Sequence, residues 1–433
     1  MKRSKHLRLV LMLFCAGLVL QSCTKDKHDD PRNDPKPGEF EYNQNAVIVD
    51  TNPADVIVSV DEERQIYTLK SAAFQSQPKV GETILVPGEM LRKVKSVRSS
   101  GDQYIMETED AVVTDVIKNG SLSFDTQLDW GDATSIRMGG QELLKDGLTL
   151  SSSIRANDGG IEPITSTINH GGVAHTITIT PIMTGGRIVS CQFEFKMAKG
   201  ETASFVASGT ASLPSQQTEI VIKDGKLDRF NSDNKGLKGE FEISIAVAGG
   251  YSSSHSLPLP DLAFSFPIRV LPTPMGPIPN PIPMSVEVGL QFVSDMTITS
   301  AMSSATGKSR VTYDGQAGFT YKGTEVQATG GINSGDILEG TFDSASFGTT
   351  VDLQFGFAFP RIGLKIAGQE VAYVFFAFTT GSSIYFNPIC KQGYAKMLLE
   401  GGYSLKVLGQ TLLAGSDTMY ENYKHAGEDC SKR

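Results

Sequence analysis

Apolar and polar residues alternate with a period of two along much of this chain. Glu240-Phe241-Glu242-Ile243-Ser244-Ile245-Ala246-Val247, Val286-Glu287-Val288-Gly289-Leu290-Gln291-Phe292 and Val351-Asp352-Leu353-Gln354-Phe355-Gly356-Phe357-Ala358-Phe359 follow it. Strands of this kind bury one face and wet the other, as antiparallel sheets do. Tyr373-Val374-Phe375-Phe376-Ala377-Phe378 is apolar on both faces, as a strand between two layers would be. Between residues 41 and 125 shorter apolar runs recur at 46–49, 56–58, 66–69 and 83–86. Turn signals such as Asn52-Pro53 and Ser100-Gly101-Asp102 divide several of them. Helical periodicity is nearly absent. One short helix is predicted over 109–118, with Thr108 as its N-cap and Asn119-Gly120 as its stop. The predicted fold is mostly β: antiparallel, sandwich-like sheets in two or three domains with few short helices.

Breaks in the pattern suggest the organisation. Residues 257–284 hold nine of the 20 prolines, a density that predicts an extended polyproline-like connector or a sheet edge. Leu257, Leu259, Leu262, Phe264, Phe266 and Ile268 are interleaved with them, so the connector is expected to pack along the body of the protein. The polar, proline-punctuated stretch 24–38 has almost nothing to bury and predicts a disordered tether. The expected division is a leader at 1–22, a tether at 23–40, a β-rich module at 41–125, a β domain at 126–256, the connector at 257–284 and a C-terminal β domain at 285–433.

The leader opens with Lys2, Arg3, Lys5 and Arg8, and an apolar segment follows over 9–20. That segment is too short for a stable transmembrane helix and has the length of a signal-peptide core. Leu20-Gln21-Ser22-Cys23 resembles a bacterial lipobox, which implies cleavage before Cys23 and its acylation, with palmitate among the acyl groups expected. The alternative is an ordinary secretory signal with a chance cysteine. Asp26, Asp29 and Asp30 lie close behind and resemble the export signal of surface lipoproteins in the Bacteroidota. This implies an outer-membrane protein, lipid-anchored and facing the cell exterior; a plain spacer facing the periplasm is the alternative. Val80-Gly81-Glu82-Thr83-Ile84-Leu85-Val86, followed by Met90-Leu91-Arg92-Lys93-Val94-Lys95-Ser96-Val97, resembles a module near the N-terminus of large secreted bacterial proteins. It departs from that pattern at Glu82, where aspartate is preferred. The module carries no assigned chemistry, so the resemblance implies a secreted surface protein and no catalytic residue.

Charge narrows the partners. Removing residues 1–22 takes four positive charges and no acid, so net charge falls from −9 to −13. Such a chain gains nothing from counterion release, which argues against nucleic acid. Its expected membrane contact is the covalent lipid at Cys23, since anionic lipid would repel it. Of the five cysteines, Cys15 leaves with the leader. Cys191 sits in Val189-Ser190-Cys191-Gln192-Phe193-Glu194-Phe195 at an apolar position of the alternation and is expected in a core. That leaves Cys390 and Cys430 as the expected disulfide pair.

Candidate chemistry is sparse. His170-Gly171-Gly172-Val173-Ala174-His175 fits a hairpin with a two-residue turn, which sets His170 opposite Val173 and Ile168 opposite His175. Two imidazoles on one face could share a metal ion, but a third ligand and a supporting carboxylate are missing. Two polar residues near a hairpin tip are the favoured reading. Residues 228–236 gather oxygen-bearing side chains without the spacing of a calcium loop, and a polar turn explains them better. Asn157-Asp158-Gly159-Gly160 is likewise turn chemistry. No nucleophile elbow, His-Glu-x-x-His or phosphate loop occurs. The expected function is therefore binding or adhesion by a lipid-anchored envelope protein, with no cofactor and no catalysis, toward an unidentified protein, glycan or lipid. A hydrophobic-ligand binder is one alternative, although the long amphipathic helices of half-barrel lipid-transfer proteins are absent. A glycan-binding surface lipoprotein is the other, weakened by one Trp and 12 Tyr. A transmembrane β-barrel and a hydrolase rank below these.

Overall fold

The structure is a computed structural model of the 433-residue chain. It describes residues 34–427 apart from 139–140, 145–148, 151–162, 171–172, 186, 201–202, 249–261, 274–275, 299–303, 338–345, 348–350 and 387–388. The leader, Cys23, Cys430, the Gly171-Gly172 turn, the 157–160 turn, Leu257 and Leu259 lie outside the described residues, and with Cys430 the expected Cys390–Cys430 bond.

The chain enters through β1 (Phe40–Tyr42) and then builds a small sheet from β2 (Ala46–Ile48), β3 (Ile57–Asp61), β4 (Ile66–Lys70), β5 (Thr83–Val86), β6 (Met90–Ser100) and β7 (Gln103–Asp110). Their spatial order is β2-β5-β6-β7-β4-β3. A four-residue helix, α1 (Pro53–Val56), precedes β3, with the Asn52 side chain accepting from the Ala54 N–H. This sheet has its own core around Val56, Leu69, Ile84, Val86 and Met106. A second four-residue helix, α2 (Val113–Val116), leads directly into β8 (Ile117–Gln127). The helix expected over 109–118 is thus reduced to one turn. Thr108 lies in β7, its hydroxyl donating to the Gln65 carbonyl, and the expected stop at Asn119-Gly120 is strand. Gly120 is there for space: a Cβ would sit 2.6 Å from the Phe40 ring.

The body is built from β9 (Ser135–Met138), β10 (Gln141–Glu142), β11 (Ile164–His170), β12 (Val173–Thr184), β13 (Arg187–Lys199), β14 (Ala203–Ser212), β15 (Ser215–Lys223), β16 (Lys226–Ala248) and β17 (Leu262–Pro267). A short ribbon of β18 (Val270–Leu271) and β19 (Ile278–Pro279) follows. After it come β20 (Met284–Ile298), β21 (Ser304–Lys322), β22 (Val326–Ile337), β23 (Ser346–Phe347), β24 (Val351–Ile366), β25 (Gln369–Phe386), β26 (Ile389–Ser404) and β27 (Ala414–Gly427).

These strands make two large antiparallel sheets. Sheet I runs β1-β8-β15-β16-β14-β13-β12-β11, with β21 on the other side of β16 and carrying β22 and β23. Sheet II runs β10-β9-β17-β20-β24-β25-β26-β27. β14 and β15 lie end to end along β16, each antiparallel to it. The hairpin closing β15 onto β16 turns through Asp224 (φ 51°) and Gly225 (φ 70°), the two positive-φ positions of a tight primed turn. Residues 228–236, expected as a polar turn, run within β16 and reach its bulge at Gly236.

Strands from 126–256 and from 285–433 interleave. β9 and β10 join sheet II, β21 to β23 join sheet I, and residues of both stretches share one core. The connector contributes too. β17 is an interior strand of sheet II between β9 and β20, which differs from the edge or polyproline-like form expected for 257–284. It can be interior because its only proline, Pro267, closes it. Leu262, Phe264, Phe266 and Ile268 are buried, as the interleaved pattern implied.

Residues 23–33 of the expected tether lie outside the described residues, and its last stretch, from Asp34, is tied to the body. Asp34 is held by Lys223 at 2.6 Å and Arg229 at 2.7 Å, and the Gly38 N–H donates to the Ser121 carbonyl. Burial disfavours the Asp34 carboxylate, but these two cations and their hydrogen bonds outweigh it and hold its pKa below the ordinary value.

Candidate ligand-binding surfaces

Alternation along β26 and β27 decides which side chains leave the core. On β26, Ala395, Met397 and Leu399 turn inward and are fully buried. Tyr394, Lys396, Leu398 and Glu400 take the opposite face. Register sets His425 opposite Tyr394, Tyr423 opposite Lys396 and Glu421 opposite Leu398. The outer face of sheet II therefore carries a strip of three rings. Tyr423 lies 6.4 Å from Tyr394 and 5.5 Å from His425, its plane nearly parallel to the latter's at 16°. Tyr423 is 48 % exposed. Lys396 Nζ stands 5.4 Å from its ring centroid and 2.6 Å from Glu421, and the Glu421 hydrogen bond holds the lysine pKa above its usual value. On the inner side of the same strand, Asn422 donates to Asp336 at 2.9 Å and Lys424 to the Ile337 carbonyl at 3.0 Å, fastening β27 to β22.

Further along the same face, Tyr373 and Phe375 are stacked at 6.2 Å and 11°. The Arg361 guanidinium lies 4.4 Å from the Tyr373 ring centroid and forms a bidentate pair with Glu370 at 2.6 and 2.7 Å. Such a forked pair fixes both planes.

The outer face of sheet I is different. A groove of about 310 Å³ crosses β8, β15 and β16, with Asp125, Gln217, Glu219, Asn231 and Asp233 along it. Its groups bond to one another. Ser215 and Gln217 donate to Asp125, Thr329 donates to Asp233 at 3.0 Å, and Asn231 and Arg229 donate to Glu219. A rim pocket of about 240 Å³ holds Asp129 and Asp132 over Phe266 and Ile268. Burial, then the Asp129 charge, pushes the Asp132 carboxyl up against the opposing pull of Arg187. A third cavity, about 650 Å³, lies where β1 and the turn after it meet α2 and β8.

The histidine hairpin has the expected register, His170 opposite Val173 and Ile168 opposite His175. His175 is buried, 3 % exposed, and its other cross-strand neighbour is Met197. Among the described residues no group of three His, Cys, Asp or Glu side chains gathers as metal ligands. Cys191 is fully buried, as expected, and burial pushes its thiol far up, which leaves it a small apolar side chain. Cys390 lies on β26.

Aromatic content alone does not reveal the strip, because the register of β26 and β27 sets its rings side by side. The signal was present as Tyr394-x-Lys396-x-Leu398-x-Glu400 and Glu421-x-Tyr423-x-His425. No known family model, no curated protein and no solved structure matches the chain.

Proposed function

We propose that this chain is a binding protein of the bacterial outer membrane, anchored by lipid at Cys23, facing the exterior, which captures a glycan on the aromatic half of sheet II without covalent chemistry. The observation that carries this reading is the exposed strip Tyr394–Tyr423–His425 with Lys396 and Glu421 beside it. Sugar rings present flat C–H faces bordered by hydroxyls. Aromatic planes beside hydrogen-bonding groups suit both parts. An aromatic contact contributes roughly 0.5–1.5 kcal/mol beyond area burial, so one such strip makes a weak site. Display of many copies on a surface, facing a repeating polymer, turns weak sites into firm attachment.

Between the sheets, Phe193, Phe195, Phe241, Phe357 and Phe359 are buried in mutual ring contact, so these rings already cover one another, whereas the Tyr423 ring stays open to solvent. The test is affinity electrophoresis of the full acylated chain in detergent, through gels containing neutral polysaccharides. Retardation by at least one polysaccharide, reduced in Tyr423→Ala, is the expected result. Unchanged migration in every gel would reject the glycan reading and return the protein to adhesion or hydrophobic-ligand binding.

A further inference from the structure

We infer that the cleft where β1 and the turn after it meet α2 and β8 is a second ligand site, shaped for a neutral polyhydroxylated unit such as a sugar. The inference rests on the glycan reading for its ligand class and on the cleft alone for its existence.

At about 650 Å³ the cleft falls within the usual range for small-molecule sites, roughly 300–1,000 Å³, and it lies beside the turn by which the chain leaves sheet I for the small sheet. Tyr42 is part of its lining. Tyr42 is 36 % exposed and is stacked on Phe40 at 6.4 Å and 29°. The remaining lining is polar, from Glu41, Asn43, Gln44, Asn45, Thr114 and neighbours.

The walls are held in place. Asn43 Nδ2 donates to the Thr114 carbonyl at 2.8 Å and the Asn43 N–H to the Val116 carbonyl at 2.8 Å. The Ala46 N–H closes the turn onto the Asn43 carbonyl at 3.1 Å, and the Thr83 N–H donates to the Asn45 carbonyl at 3.1 Å. The cleft is therefore pre-shaped, and a ligand entering it orders little chain.

Charge selects the ligand class. Lys118 is the only cation of the lining, and it is engaged by Glu41 at 2.5 Å. Asn119 also donates to that carboxylate at 2.6 Å. Asp115 adds a second negative charge, accepting at 3.4 Å from the Val112 N–H. An anionic sugar would meet two carboxylates and one committed lysine. A neutral polyol would meet amides, a hydroxyl and carboxylate oxygens able to accept from its hydroxyls.

The experiment is isothermal titration of the full chain with gluco-, galacto- and manno-oligosaccharides of four units, and with tetragalacturonate as the charged probe. Wild type, Tyr42→Ala, Asn45→Ala and Tyr423→Ala are compared. The inference expects Tyr423→Ala to retain binding of a neutral oligosaccharide, and Tyr42→Ala to weaken that remaining site at least tenfold, with Asn45→Ala acting in the same direction. Loss of all binding in Tyr423→Ala would overturn the second site and leave the strip standing. Loss confined to Tyr42→Ala would keep the cleft and overturn the strip. Silence of wild type toward every neutral sugar would overturn both, and preference for tetragalacturonate would overturn the neutral assignment.

Discussion

The same residue class occupies two regions of this molecule with opposite consequences. Between the sheets, Trp130, Phe193, Phe195, Phe264, Phe357 and Phe359 form a seam of rings in edge, tilted and stacked contact. On the outside of sheet II, Tyr394, Tyr423 and His425 form a strip that solvent reaches. A single step of strand alternation separates the two: Met397 faces inward while Lys396, next to it, stands beside the Tyr423 ring. The rings of the seam cover one another and so serve cohesion. The strip contributes little to cohesion and keeps its area uncovered, which is the condition for binding.

The sharpest way to break this comparison is to remove one ring from each region. Phe359→Ala, at a site of 0 % exposure, should cost about 3–5 kcal/mol in chemical denaturation while leaving sugar retention intact below the melting temperature. Tyr423→Ala should weaken sugar binding at the strip at least tenfold, about 1.4 kcal/mol, and shift stability by no more than about 0.5 kcal/mol.

Two smaller effects belong to charged groups beside sheet I. Asp34→Asn removes a partly buried clamp and should cost about 1 kcal/mol, with faster proteolysis of residues 34–39 as a second readout. The folded pKa of Asp34 is depressed, so its contribution is complete above the ordinary carboxylate range and is lost as pH falls through the folded value. Asp132 has the opposite sign. Its folded pKa is raised, so its ionised form weakens the fold, and stability from this group declines as pH rises through that value. Asp132→Asn should therefore be slightly stabilising at neutral pH and neutral in strong acid, a difference that thermal melts at two pH values would read.

Much of the fold could be read in the sequence because period-two alternation is local: 240–247, 286–292 and 351–359 are strands. What alternation leaves open is which sheet receives each strand. Nothing in Ile136 or Phe264 reveals that β9 and β17 pair with each other across more than a hundred residues. Polarity also misleads locally. Gln216, Thr218, Ser232 and Asn234 are buried on the inner face of sheet I, where the Gln216 side chain donates to both hydroxyls at 3.1 Å. Proline density overstated the irregularity of 257–284, since six consecutive residues with proline only at the end suffice for an interior strand. The aromatic strip was legible in part. Alternation could place Tyr394 and Tyr423 each on the outside of a strand, but only register sets them side by side.

The most direct test of the separation between seam and strip is a paired measurement on Tyr423→Ala and Phe359→Ala, with dissociation constant and unfolding free energy taken from the same preparations. The account predicts that Tyr423→Ala loses affinity at the strip and keeps stability, while Phe359→Ala loses stability and keeps affinity. Unchanged affinity in Tyr423→Ala together with lost affinity in a folded Phe359→Ala would contradict it, and would place the ligand between the sheets.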